Sequence, residues 1–146
     1  MSAIQQMGTF KRVLRKDEAK VKASHQFAPL RMIFTVKEDL RRKSRVVIGG
    51  HVVDSGDRDV YSSNMKGLSA RLLMLIASAK GYDVLVGDIK NAYLNAKTDL
   101  DVYVRMGPEF TLQDPSFQTG GLATVEKALF GLSTSARMWR AMLADT

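Results

Sequence analysis

The strongest constraint on the fold lies in residues 81–96, GYDVLVGDIKNAYLNA, where an apolar run ends in a carboxylate. The part YDVLVGDI has the composition of a buried strand, which predicts a strand over residues 82–88. A buried, unpaired carboxylate costs several kcal/mol, so Asp88 is expected to meet a metal, a cation or solvent. A carboxylate at a strand end also commonly caps the next helix, and Asp88 taken alone favours that cap over a metal ligand.

Composition excludes several other classes of protein. The chain has 146 residues, 45% hydrophobic and 25% charged, which is ordinary for one soluble globular domain. Its longest apolar run, residues 72–77, is far shorter than the roughly 20 residues that span a bilayer. The N-terminus shows no secretory signal. There is no cysteine, and the two histidines, His25 and His51, share no zinc-ligand spacing.

Positive charge is confined to the first part of the chain. Residues 1–66 contain 14 Lys or Arg and 7 Asp or Glu and so carry the whole net charge of +7, whereas residues 67–146 contain 8 of each. One-sided charge of this kind suits a polyanion, either a nucleic-acid backbone or a triphosphate. A solvated basic surface explains the charge equally well, and both readings stay open at this point.

The hydrophobic pattern predicts a single α+β unit that includes a hairpin. Two β-rich runs, residues 32–37 and 45–53, flank the polar segment 38–42 and predict two paired strands. Gly49 and Gly50 mark a bulge or a close approach of two backbones.

A helix and further strands are predicted after the hairpin. Residues 65–80 predict a helix that ends at Gly81, a C-cap residue. The apolar face of this helix is formed by Leu68, Leu72, Leu75 and Ala79. Its candidate N-cap residues are Ser62, Ser63 and Asn64. DVYVRM predicts a strand over 101–106, ATVEKALFGL predicts a strand that runs into a turn, and Ser133 or Thr134 is expected to cap a last helix.

Three ordered motifs resemble the reverse transcriptase of copia-type LTR retrotransposons. They are GDIKNAYLNA, DVYVRMGPEF and VEKALFGLSTSARMW, which match the D-[IV]-x-x-A-[FY]-L, GPeF-like and LYGL…R-W segments of that family. Upstream, FTVKEDLRRKSRVVIGGHVVD and SARLLMLIAS match the stretch that the family carries before its first catalytic aspartate. The resemblance covers residues 27–146.

The resemblance implies a partial right-hand polymerase fold, α+β, with a mixed or antiparallel sheet and packed helices. Residues 1–26 would be a basic N-terminal arm, and residues 27–146 a partial reverse transcriptase domain. Within that domain, the fingers hairpin would occupy about residues 30–53, and the palm strand with the first catalytic aspartate about residues 82–88.

The resemblance also implies an active-site role for three residues. A polymerase joins a primer hydroxyl to a nucleotide by in-line displacement assisted by two metal ions. Asp88 matches the first catalytic, metal-binding aspartate, and the backbone carbonyl of Ile89 would be a second oxygen donor to Mg²⁺. Tyr93 matches the aromatic ring under the nucleotide sugar that excludes a ribose 2′-hydroxyl, with a plain core aromatic as the alternative.

Cations and a glycine complete the implied site. Lys37 and Arg45 match the fingers residues that cover the triphosphate, and the planar fork of arginine binds phosphate oxygens in pairs. Lys43 is the alternative to Lys37, because the hairpin turn cannot be placed to the residue, and Lys43 and Arg137 are assigned to nucleic-acid binding. Gly131 matches a glycine whose backbone approaches the nucleotide and template.

The implied function is RNA-directed DNA polymerase activity in a complete domain. The chain departs from the family pattern at Ser133 and Ala136, and it stops before the Tyr-x-Asp-Asp hairpin that supplies the other carboxylates, so we expect no activity from it alone. Expected partners are a primed RNA or DNA template, deoxynucleoside triphosphates and the remaining palm, thumb and ribonuclease H of a polyprotein, with no membrane. We expect an intracellular protein, in cytoplasmic particles with nuclear access and not secreted. The alternative is a non-enzymatic nucleic-acid-binding remnant that uses the basic fingers.

Overall fold

The computed structural model describes residues 3–62, 64–112, 114 and 116–145. The helices are α1 Ala3–Gln6, α2 Glu18–Ser24, α3 Gly67–Lys80, α4 Ala92–Asn95, α5 Pro108–Thr111 and α6 Ser135–Ala144. The strands are β1 Phe10–Arg12, β2 Gln26–Phe27, β3 Leu30–Val36, β4 Arg42–Ile48, β5 Val102–Arg105 and β6 Leu122–Val125. Short 3₁₀ turns occupy Arg15–Asp17 and Gly50–Val52. No helix among these residues is long and apolar enough to cross a bilayer.

The larger sheet is mixed, as expected for an α+β protein. Its four strands lie in the order β1-β6-β5-β2. β6 pairs antiparallel with both β1 and β5, while β2 pairs parallel with β5. Part of the predicted N-terminal arm therefore lies in the sheet, because Phe10 stands opposite Val125 and Gln26 opposite Val102.

The predicted hairpin is confirmed, with a shifted second strand. β3 and β4 pair antiparallel from Leu30 opposite Ile48 to Val36 opposite Arg42. The turn closes with a hydrogen bond from the Lys37 amide to the Arg41 carbonyl, 3.0 Å long. Residues after Ile48 were expected to continue the strand. One more bond, from the amide of Gly49 to the carbonyl of Pro29, follows the same register, and the chain then turns into the 3₁₀ turn that begins at Gly50.

A close approach of backbones explains Gly50. A Cβ on Gly50 would lie 2.0 Å from the carbonyl oxygen of Gly131, and a Cβ on Gly131 would lie 1.8 Å from the carbonyl oxygen of Ile48. Two glycines therefore let the end of the hairpin cross the chain just before α6. The approach predicted at Gly50 is confirmed.

The predicted strand at residues 82–88 is not formed. The segment is irregular, and Leu85 and Val86 are 98% and 82% exposed. A strand needs a neighbouring strand to bond its amides and carbonyls. No strand among the described residues pairs with this segment.

Helix α3 is also less buried than its pattern predicts. Only Ala77 is buried in this helix, and the expected inner face of Leu68, Leu72, Leu75 and Ala79 lies open. The helix begins at Gly67 with Lys66 as its N-cap and no side-chain cap bond, so Ser62 and Asn64 do not cap it, while Ser63 lies outside the described residues. Gly81 ends the helix as predicted, with φ of 67° and its amide bonded to the carbonyls of Ala77 and Ser78.

The core joins the larger sheet to the end of β4 and to the short helices between the strands. It brings strand residues together with residues of α4, α5 and the turn before α6, namely Ala28, Val46, Ile48, Val53, Leu94, Leu100, Val102, Val104, Met106, Phe110, Ala123, Val125, Leu129 and Leu132. The predicted strands at 101–106 and after Ala123 are confirmed as β5 and β6, although β6 begins at Leu122. Thr134 is the N-cap residue of α6, but its side chain makes no cap bond.

Candidate functional site

A groove of about 730 Å³ collects most of the residues that the sequence nominated. Its walls come from β4, from the segment that follows residue 87 and enters α4, from the turn before α6 and from α6 itself. The lining residues, which define the groove below, include Lys43, Ser44, Arg45, Val46, Asp88, Ile89, Lys90, Asn91, Ala92, Tyr93, Leu94, Leu129, Phe130 and Trp139, with Ile4 and Asn64 at its margin. Residues more than 90 positions apart in sequence thus share one surface.

Asp88 offers its carboxylate to this groove. The side chain is exposed and forms no ion pair or hydrogen bond with any residue that the structure describes. The alternative role as a helix cap is wrong, because α4 begins at Ala92 and its N-cap is Asn91. Asn91 has φ of 53°, a left-handed conformation that asparagine tolerates better than most residues, and it turns the chain between Asp88 and α4.

The donor set suits part of a Mg²⁺ site. Mg²⁺ prefers oxygen ligands, often one or two carboxylates completed by waters and substrate phosphates. Asp88 and the carbonyl-bearing Ile89 both line the groove, so one carboxylate and one backbone oxygen are available there. The described residues contain no cluster of three His, Cys, Asp or Glu able to hold a metal ion by themselves. Any bound Mg²⁺ would therefore need oxygens from a ligand or from further residues.

Tyr93 and Phe130 form an aromatic pair in the groove. Their ring centroids are 4.8 Å apart and the planes are tilted by 54°. Tyr93 is half-buried and Phe130 is exposed, so the pair presents a ring surface to the groove while resting on the core. Such a surface is able to pack against a sugar or a base.

The positive charge of the groove comes from two elements. Lys43 and Arg45 lie on β4, and Lys90 follows Asp88, so three cations face a single carboxylate. Lys37 lies at the hairpin turn, outside the groove. An anion of several charges is the ligand that this balance favours.

Gly131 adjoins the groove but does not line it. Its φ is 102°, and a Cβ on Gly131 would lie 1.8 Å from the carbonyl oxygen of Ile48. The missing side chain is therefore required by the crossing with the hairpin. The predicted approach of this backbone to a nucleotide stays a prediction.

Arg137 is engaged within the protein. Its Nη2 donates to Oδ2 of Asp99, and its buried Nε has no acceptor among the described residues. Thr134 Oγ1 donates to Oδ1 of the same carboxylate at 2.7 Å, and Arg58 Nε lies 3.8 Å from Oδ2. The proposed contact of Arg137 with nucleic acid stays a prediction, but this geometry directs the guanidinium to Asp99.

Sequence reasoning missed three residues of this region. Phe130 and Trp139 were read only as parts of the motif VEKALFGLSTSARMW, and Asp99 was an unremarked acid in the polar segment before β5. Neither aromatic residue gave a specific signal of its own, although Phe130 directly precedes the nominated Gly131. The ion pair of Asp99 joins residues 38 positions apart, and no local pattern reveals such a pair.

Comparisons with known proteins point to one family. The family model described as "Reverse transcriptase (RNA-dependent DNA polymerase)" matches residues 17–146. A "Retrovirus-related Pol polyprotein from transposon TNT 1-94" of Nicotiana tabacum is 26% identical over 151 aligned residues, which cover 95% of this chain and 10% of that protein. A "Retrovirus-related Pol polyprotein from transposon RE1" of Arabidopsis thaliana is 29% identical over 117 residues, covering 75% of this chain and 8% of that protein. No solved structure matches.

Proposed function

The chain belongs to the reverse transcriptase (RNA-dependent DNA polymerase) family, in its copia-type branch, and we propose that its groove binds the incoming deoxynucleoside triphosphate of RNA-directed DNA synthesis. The chain spans about a tenth or less of the two polyproteins described above, so the activity of a complete enzyme is part of the proposal. The observation that carries it is the meeting of Lys43, Arg45, Asp88 and Tyr93 in one groove.

The two cations of β4 are assigned to the triphosphate. Arg45 would bind phosphate oxygens through its planar fork, and Lys43 would add a point charge. Both lie on a strand paired to β3 over seven residue pairs, which holds them more firmly than a loop would. Lys37, at the turn and away from the groove, would meet nucleic acid or the outer end of the triphosphate.

The aromatic pair is assigned to sugar selection. The ring of Tyr93 packs against the ring of Phe130, with 4.8 Å between the ring centroids. A ring in this position would leave no room for a 2′-hydroxyl and so favour deoxynucleotides. Gly131 would contribute through its backbone, which follows Phe130 directly.

Asp88 and the carbonyl of Ile89 would hold Mg²⁺ jointly with the triphosphate. The fit rests on an exposed carboxylate that no cation of the described residues neutralises. When bound, the metal would screen phosphate charge and activate oxygens for displacement. Because the described residues supply one carboxylate here, the second metal of a polymerase would depend on residues elsewhere in a complete enzyme.

Two surfaces fit the larger partners. The hairpin and the basic N-terminal third would contact a primed template through its phosphates, with Arg137 able to join only if it leaves Asp99. The exposed side chains of α3 and of residues 82–89 would be covered by the remaining polymerase of a polyprotein, since exposed apolar surface of this extent marks an interface. In a complete polymerase, β3 and β4 would then belong to the fingers and the larger sheet to the palm.

Nucleotide binding by the chain tests the proposal. Titration with dATP and with ATP in MgCl₂, followed by calorimetry, should show a preference for dATP that Tyr93→Ala abolishes. Arg45→Ala should weaken dATP binding about tenfold, because a charge-assisted contact to phosphate is lost. Arg42→Ala removes the same charge from the same strand outside the groove and should leave the affinity unchanged. Equal losses in both variants would contradict a specific site.

The alternative of a binding remnant without nucleotide chemistry is favoured by one observation, the lone carboxylate of the groove. Asp88→Asn separates the two functions. If the groove is a nucleotide site, this variant should lose the Mg²⁺ dependence of dATP binding. If the chain is a remnant, no Mg²⁺-dependent binding exists in the unaltered protein, and primer–template binding that falls steeply with salt is all that remains.

A further inference from the structure

The turn of residues 129–134 contacts both sides of the groove. The ring of Phe130 packs against Tyr93, and the carbonyl of Phe130 accepts a hydrogen bond of 2.8 Å from the Ile48 amide at the end of β4. Ser133 Oγ lies 2.9 Å from Ser55 Oγ, in the loop beyond the hairpin. The position of this turn therefore sets the aromatic floor of the groove relative to the strand that carries Lys43 and Arg45.

The far end of the turn is held by Asp99. Its two carboxylate oxygens accept from Thr134 Oγ1, at the N-cap of α6, and from Arg137 Nη2, in the first turn of that helix. Thr134 is fully buried, and its hydroxyl serves Asp99 instead of capping α6. Trp139, which lines the groove, lies two residues after Arg137 on the same helix.

Asp99 is the carboxylate that contacts Thr134, Arg137 and Arg58, and its negative charge faces both arginines. Arg137 is half-buried, with a buried Nε that lacks an acceptor among the described residues, and Arg58 Nε lies 3.8 Å from the Oδ2 of Asp99 that Arg137 contacts. Removing the carboxylate would leave one partly buried guanidinium without its counter-charge. Such a cation moves toward solvent, and the start of α6 would move with it.

We propose that Asp99 is a positioning residue of the groove, which fixes the 129–134 turn and α6 so that Phe130 supports Tyr93 and Trp139 closes the wall. This inference rests on the proposed nucleotide site. Asp99 itself is not among the residues that line the groove. Nothing in the composition of a single segment assigns it this role, which depends on contacts to residues 35 and 38 positions away.

The test compares Asp99→Asn with Asp101→Asn. Both remove one negative charge from the same segment, but Asp101 is exposed and forms no ion pair with a described residue. Trp139 is the only tryptophan of the sequence, so its emission reports this wall directly. In Asp99→Asn we expect a red-shifted emission, easier quenching by acrylamide and about tenfold weaker dATP binding, at a temperature where circular dichroism shows every variant folded. Asp101→Asn should match the unaltered chain in all three.

Other results would overturn the proposal. A lower melting temperature with unchanged Trp139 emission and dATP affinity would make Asp99 a stabilising residue only. Tighter dATP binding would mean that Asp99 merely restrains Arg58 and Arg137, which then reach the ligand. If Asp99→Asn does not fold, Thr134→Val removes one bond without changing charge and should give the same changes at a smaller size, about threefold in affinity.

The failure of the proposed function has a different signature. If the unaltered chain binds no dATP, the nucleotide site is contradicted, while the Trp139 emission of the two asparagine variants still decides whether Asp99 sets the position of α6. An unchanged emission in Asp99→Asn and Thr134→Val then contradicts the positioning role independently.

Discussion

The larger sheet and helix α3 make opposite use of similar apolar residues. In the sheet, Val102, Val104 and Ala123 are fully buried, and the turn before α6 closes the same core. In α3, Leu68, Leu72 and Leu75 are between 50% and 69% exposed, and the segment that follows is irregular. An apolar pattern therefore specifies a face that can be buried, while burial itself requires a partner surface.

The surface that packs against the sheet comes from residues that are distant in sequence. β1 and β6 bring residues 10 and 125 together, and the 129–134 turn brings Phe130 to Ile48 and Thr134 to Asp99. Helix α3 and residues 82–89 have no comparable packing among the described residues. The nominated Asp88 lies at the boundary between these regions, which suits a residue that meets a ligand or a further partner.

The largest expected effect comes from two glycines, one in each region. Gly131→Ala places a Cβ 1.8 Å from a backbone oxygen at a φ of 102°, so we expect it to cost more than about 4 kcal/mol or to prevent folding. Gly81→Ala also has a positive φ, 67°, but its Cβ would meet nothing within 4 Å, and the cost should be about 1–2 kcal/mol. Urea unfolding followed by circular dichroism measures both. Similar costs for the two variants would show that the hairpin does not cross the turn as described.

Leucine truncation gives the next largest contrast. Leu100 is buried in the core, so Leu100→Ala should lower the free energy of unfolding by about 2–5 kcal/mol through lost burial and a residual cavity. Leu75 is mostly exposed, so Leu75→Ala should change it by no more than about 0.5 kcal/mol. The same urea titrations provide the measurement. A large cost at Leu75 would mean that α3 buries its apolar face in solution, against a second copy or another part of the chain.

The sequence predicted the positions of helices and strands better than it predicted which of their faces are buried. Short-range signals sufficed for the hairpin and for Gly81 as a C-cap, because strand pairing through a turn and a left-handed glycine are local features. The strands at 101–106 and after Ala123 were found from their apolar pattern, although their pairing joins residues 17 or more positions apart. The strand at 82–88 and the buried face of α3 failed for a common physical reason, since neither has a packing partner among the described residues. The apolar composition of a segment does not indicate whether a surface that can bury it is present.

In the candidate site, too, local motifs were predictive and contacts between distant residues were not. The motifs nominated Lys43, Arg45, Asp88 and Tyr93, and the structure brings all four to one groove. The motifs did not nominate Asp99, Phe130 or Trp139, which act through contacts between elements and not through a spacing. They nominated Arg137 for nucleic acid, where the fold supplies a nearer carboxylate.

The smallest expected effect lies at the hairpin turn, which is exposed like α3 but locally hydrogen-bonded. The side chain and then the backbone amide of Arg41 donate hydrogen bonds to Asp39 and hold the pKa of its carboxyl below the ordinary value. A lowered pKa means that the contribution to turn stability is complete above the unfolded pKa of about 4 and is lost as pH falls through the folded pKa. NMR titration should therefore show the Asp39 carboxyl and the Arg41 amide changing together, with a midpoint below the ordinary value of an aspartate and with little change in the sheet. Arg41→Ala should return the midpoint of Asp39 toward its ordinary value, whereas Arg42→Ala, one position along the chain, should leave it in place. If both variants move the midpoint equally, the turn is governed by the general positive charge of the hairpin, and the contrast between locally bonded and unpartnered exposed segments does not hold there.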